Sequence, residues 1–191
     1  MDAHEIARAL DDPVAQELLR SPLLAHLAYT AADGFPRVLP IGYLWDGENF
    51  VLCTATNAQK VAALRANPKV ALSVDSNGEP PQPLLVRGVA TSDVVEGVAP
   101  EYLEAAKRAF SAERWAAFAA EVRGFYPQMA RITIKPLWVK VLDFETRLPA
   151  FVEELARRKR WCRVTCPELR PNQWNYLRLG VCRPRLPAPQ P

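Results

Sequence analysis

The segment Cys53-Thr54-Ala55-Thr56-Asn57-Ala58-Gln59-Lys60 holds the residues of this chain best suited to chemistry. It runs from an apolar, strand-like stretch into a helical pattern, with Asn57 as the expected N-cap. Thr54 and Thr56 put hydroxyls around the strand terminus, with Ala55 between them. A helix start presents backbone N–H groups that the helix itself cannot bond. Lys60 adds a full positive charge on the first turn. Hydroxyls, free N–H groups, the positive end of a helix dipole and a lysine converging on one point make an anion site suited to phosphate. The same residues also describe a plain capped surface helix with a solvated lysine, and the local pattern leaves both open.

The rest of the catalytic inventory is short. His4 falls in a helical pattern and is expected to be exposed; His26 alternates within a strand and is expected beside the core. Neither has a neighbour that marks it as a base. Cys53 lies in the apolar run FVLCTAT and reads as a small buried thiol. Cys162, Cys166 and Cys182 have no histidine near them and make a poor zinc set. No glycine-rich dinucleotide fingerprint, P-loop or nucleophile elbow occurs. An enzyme built on this chain would leave its hard chemistry to a bound cofactor, and no catalytic side chain is assigned.

Charge divides the chain in two. The formal net charge is +3, from 24 basic and 21 acidic residues. From Phe151 onward there are nine basic residues against three acids, so the first 150 carry 15 against 18. The body has no basic stripe, and nucleic-acid binding is not expected. No apolar run approaches the ~20 residues that cross a bilayer, so no membrane partner is expected. The first residues, MDAHEIARALDD, lack the pattern of a secretory signal, and a cytoplasmic location is the expectation. Residues 161–191 are rich in Pro and Arg without any period and read as a disordered or loosely packed tail on a domain spanning 1–160.

The elements that must position the lysine follow from periodicity. Residues 4–20 repeat apolar positions at helical spacing, with Pro13 restarting a helix after Asp11-Asp12. Asp33-Gly34 and Asp46-Gly47 mark hairpin turns between LLAHLAYT, FPRVLPIGYLW and NFVLCTAT. A short helix ends at Asn67-Pro68, and KVALSVD and LLVRGVATSDVV read as strands. Gly88 suggests a bulge or a close backbone approach, and Pro136 requires an edge or a bulge in the last strand. Two helices broken near Ser111 lie between these long strands. The tally is a mainly β, α+β chain: a six-stranded antiparallel split barrel with peripheral helices.

The order of these motifs from Leu18 to Phe144 resembles the pyridoxamine 5′-phosphate oxidase-like superfamily, the flavin-binding split barrels. The resemblance implies that Arg37, Val38, Leu39 and Pro40 run along the flavin, and that Thr54 and Lys60 hold its phosphate. It further implies a homodimer with the cofactor at the subunit interface, where Arg87 and Trp138 contribute from the other chain. The implied activity is flavin-dependent hydride transfer to or from a small organic substrate. FMN is the first choice of cofactor and coenzyme F420 the second. A non-catalytic flavin carrier is the alternative from another class, and a heme-handling relative with His26 as ligand a third. The chain departs from the family's pattern at Ala58 and Gln59, where Arg or Ser is frequent. It also lacks the C-terminal Arg-x-His pair of the vitamin-processing oxidases, which argues against pyridoxal phosphate synthesis.

Overall fold

Two aspartates start the first two helices. Asp2 and Glu5 form a reciprocal capping box at the start of α1 (Ala3–Leu10), each backbone N–H donating to the other's carboxylate at 2.8 Å. Asp12 accepts from the Val14 N–H at the start of α2 (Pro13–Arg20), and Pro13 occupies the first turn, where its missing N–H costs nothing. The computed structural model describes residues 1–76, 78–150 and 152–155. The chain divides into two units, Met1–Pro149 and Ala150–Pro191. In the second, residues 150 and 152–155 are helical, while the expected boundary at 160, the tail and its three cysteines lie outside the described residues.

The strands are β1 (Ala25–Thr30), β2 (Pro36–Ile41), β3 (Leu44–Trp45), β4 (Phe50–Ala55), β5 (Lys69–Val74), β6 (Leu84–Glu96) and β7 (Gln128–Val141). Helix α3 (Gln59–Ala66) joins β4 to β5; α4 (Pro100–Lys107) and α5 (Ala112–Phe125) join β6 to β7. All pairings are antiparallel, in the order β2-β1-β5-β6-β7-β4-β3. The stretch expected as one strand from Phe35 to Trp45 breaks at Gly42-Tyr43, so its two halves form opposite ends of the sheet. Tyr43 turns inward there, 3% exposed, and its hydroxyl donates to the Leu18 carbonyl at 2.6 Å. One bent segment thus supplies both edges, and the six expected strands become seven among the described residues, in a split barrel of the α+β class.

Both hairpin turns follow from their residues. Gly34 and Gly47 adopt φ of 84° and 106°, and the preceding Asp33 and Asp46 carboxylates accept backbone N–H groups of the turn. Alternation in the strands sends Leu27, Phe50, Leu52, Leu72, Ile132 and Ile134 into one core. Val61 and Leu64 of α3 join it. A smaller cluster on the opposite face of β4 and β7 packs Val51, Cys53 and Met129 beneath Ala99 and Tyr102.

Gly88 sits at the register shift between β6 and β7, paired with Pro136. A Cβ there would stand 2.5 Å from the Lys135 carbonyl oxygen and 2.9 Å from a methyl carbon of Ile134. The glycine permits the close approach, and the bulge accommodates a proline inside a central strand. Gly88→Ala is expected to cost about 1–3 kcal/mol of stability, as overpacking does. A lowered urea midpoint with an unchanged slope would report it; an unchanged midpoint would show that the backbone yields freely.

Candidate functional site

Thr54 and Ala55 end β4, and a backbone hydrogen bond from the Ala58 N–H to the Ala55 carbonyl (3.1 Å) closes a tight turn into α3. That turn places Ala58, not Asn57, at the N-cap, in extended conformation and with no side chain capping the helix. The expected capping role of Asn57 is therefore corrected: its side chain is exposed and one position too early. Among the described residues the N–H groups of Gln59 and Lys60 have no partner. The Lys60 ammonium donates to Thr54 Oγ1 at 3.1 Å. Thr56 is exposed and makes no such bond.

Lys60 is half-buried, and burial pushes its pKa below the ordinary value. Among the described residues no carboxylate pairs with it. A partly desolvated cation hydrogen-bonded to a neutral hydroxyl, beside two N–H groups without a partner among the described residues, is a donor set of the kind that suits an anion. Val61 and Leu64, each 2% exposed, anchor α3 in the core.

On β2, Arg37 is engaged in an ion pair with Asp33 at 2.6 Å. Leu39 packs against the core, whereas Val38 points outward and is 67% exposed. Strand register sets Val38, Ala28, Ala71, Arg87 and Trp138 in one continuous row across five strands. The Arg87 guanidinium lies 4.2 Å from the centroid of the Trp138 ring, a cation–π contact. The fold thus gathers two separate groups: Thr54 with Lys60, and Val38 with Arg87 and Trp138. No hydrogen bond or ion pair joins the groups among the described residues.

His26 departs from expectation. Ala25 and Leu27 take the inward positions of β1, so parity sends His26 outward, where it is half exposed with Nδ1 3.8 Å from an Asp75 carboxylate oxygen. Cys53 is buried as expected. Burial, reinforced by the nearby Glu101 charge, pushes its thiol up to about 12. Native protein at pH 8 should therefore leave Cys53 unalkylated by iodoacetamide, with full labelling after denaturation, as read by peptide mass mapping. Rapid labelling of the native thiol would contradict this burial.

Sequence reasoning missed a groove. A cavity of about 370 Å³ opens between Pro40–Tyr43, the outer face of β4 and the α4 side that carries Glu101, Tyr102 and Ala106. The helix itself was legible, but an apolar helix face reads as core until the neighbouring elements are placed.

The family model described as pyridoxamine 5′-phosphate oxidase matches residues 12–141. The chain belongs to that family. Its members commonly bind flavins. Among solved structures the chain is similar to an F420 reductase at 27% identity, over 65% of this chain and 94% of that one, with a TM-score of 0.47. It is also similar to the heme storage protein of Vibrio cholerae (17% identity, 68% and 93% covered, TM-score 0.50). A third is a Clostridium acetobutylicum protein related to general stress protein 26 (15%, 68% and 86%, TM-score 0.48). The similarity to the heme storage protein shows the fold alone. No curated protein matches the chain. Among the described residues no helix is long and apolar enough to cross a membrane.

Proposed function

We propose that this member of the pyridoxamine 5′-phosphate oxidase family is a flavin-dependent oxidoreductase that binds FMN and acts on a small organic substrate. The observation that carries the reading is Lys60: a half-buried cation tied to Thr54 Oγ1, beside two helical N–H groups and, among the described residues, without an acidic partner, as those N–H groups are without theirs. That donor set fits a phosphate monoester. When bound, the flavin would supply the hydride chemistry. The chain's own part is to grip the phosphate with Thr54, Lys60 and the α3 N-terminus, and to lay β2 from Arg37 to Pro40 alongside the cofactor. Ala55 and Thr56 shape the turn between these parts.

The outward row supports a homodimer. Val38 is too exposed for an apolar strand residue with no cover, and Arg87 and Trp138 share its face. A second copy packed there would bring those two residues to the partner's cofactor. Coenzyme F420 in the same cradle is the second reading, favoured by the single cation in the first turn of α3: Ala58 and Gln59 add no charge beside Lys60.

Mass and absorbance of the small molecule released on denaturation distinguish these readings. A flavin mononucleotide that NAD(P)H reduces and an added acceptor reoxidises supports the oxidoreductase. A deazaflavin favours the second reading, and a flavin that never turns over makes the protein a carrier. Release of neither, with no binding of added FMN, overturns the proposal.

A further inference from the structure

We infer that the groove beneath α4 selects an uncharged, largely aromatic organic molecule and turns anions away, with Glu101 as the residue that sets this selectivity. Its role as a substrate site rests on the flavin reading, whereas the binding itself does not. At about 370 Å³ the groove has the size of a small-molecule pocket. Leu24, Pro40 and Ile41 form one wall, and Val51 and Cys53 lie at its base. Ala105, Ala106 and Ala109 line the α4 side with small, flat surface. Phe110, stacked on Phe118 with ring centroids 4.2 Å apart, closes one end. Among the described residues no Lys, Arg or His lines the space.

The one ionised wall residue is an acid. Glu101 Oε1 accepts from the Arg131 guanidinium at 3.0 Å, and Oε2 is buried without a hydrogen-bond partner among the described residues. Arg131 is shared, since the Asp93 carboxylate accepts from its Nη2 at 2.7 Å and its Nε at 3.3 Å. One cation against two carboxylates leaves the trio net negative. An anion entering the groove would lose its hydration, find no Lys, Arg or His side chain in the wall in return, and meet that negative field. A neutral ring system loses little hydration and gains the apolar walls. Pro40 belongs both to this wall and to the strand expected along the flavin, so a molecule in the groove ends beside that strand.

Two dyes that share one ring system test the inference. N-phenyl-1-naphthylamine is neutral, and 1-anilinonaphthalene-8-sulfonate adds a single sulfonate. Titrated into the full-length protein, the neutral dye should bind at one site about tenfold or more tightly than the anion, a difference of roughly 1.4 kcal/mol. Glu101→Gln should raise the affinity of the sulfonate and shrink that ratio to about threefold or less. Ala106→Trp should fill the groove and abolish binding of the neutral dye while FMN affinity is retained. Should the tryptophan prevent folding, judged by circular dichroism, Ala106→Leu should weaken the neutral dye in the same direction. Equal affinity for the two dyes, no binding of the neutral one, or binding indifferent to both Ala106 variants would overturn the inference. Dye binding without FMN binding would remove the flavin reading and leave the selectivity standing; FMN binding without dye binding would do the reverse.

Discussion

Lys60→Ala is expected to lower FMN affinity about ten- to a hundredfold, the equivalent of the roughly 1.5–3 kcal/mol of a hydrogen bond to a charged group. The loss should be confined to the phosphate: riboflavin, which lacks it, should bind wild type and variant alike. The fold should survive, because α3 is held by Val61 and Leu64 on its other side, and truncating a half-buried cation without an acidic partner removes a desolvation cost. Fluorescence quenching of the flavin measures the affinity, and equal FMN binding by both proteins would place the anion site elsewhere. The pH dependence has a definite sign. Burial holds the free lysine below its ordinary value, and a bound phosphate would pull it back up. Binding therefore takes up a proton as the free lysine titrates, so affinity should be flat between the phosphate's second pKa, about 6, and the free lysine pKa, and decline as pH rises through the latter. Lys60→Ala should abolish this alkaline decline.

Asp143→Ala should cost about 2–3 kcal/mol of folding stability, the upper part of the range for stranding buried hydrogen-bond donors. Asp143 is 4% exposed just beyond β7. Its carboxylate accepts from the backbone N–H groups of Glu145 and Thr146, the Thr146 hydroxyl, and the Gln82 side-chain amide from the loop before β6. Arg147 lies 3.5 Å away and reaches on to Asp12, the cap of α2. Removing the carboxylate strands these donors and loosens three connections at once. Burial alone would raise this carboxyl, but the donors outweigh it and hold it far below the usual carboxylate range. A carboxyl depressed in the folded state stabilises above its unfolded pKa, and that contribution drains away as pH falls from about 4. Urea unfolding at pH 7 and at pH 3 should show the variant's deficit shrinking in acid. A pH-independent deficit would mean that lost packing, not charge, explains it.

Much of this was legible in the chain itself. The Asp-Asp-Pro helix restart, both Asp-Gly turns, the alternating strands and the bulge at Gly88 and Pro136 all rest on interactions within a few residues or on steric rules that hold in any context. The lysine and threonine six positions apart were legible for the same reason, since one turn connects them. The break at Gly42-Tyr43 was not, because it depends on where Tyr43 finds the Leu18 carbonyl. Nor was the cap at Ala58, which a backbone bond across the turn decides over the better capping side chain of Asn57. The outward direction of His26 needed the parity of β1 relative to a core that the strand alone does not locate.

The sequence by itself therefore determined most of the elements, their order, the family and the six-residue spacing of Thr54 and Lys60, because backbone sterics, period and turn chemistry act locally. Only the tertiary structure decided which face each strand turns inward, which residues distant in sequence share the row from Val38 to Trp138, and that α4 stands off β4 far enough to leave a groove. Those outcomes depend on strand register and helix packing, and neither is set until residues far apart in the chain bury their apolar surfaces against one another.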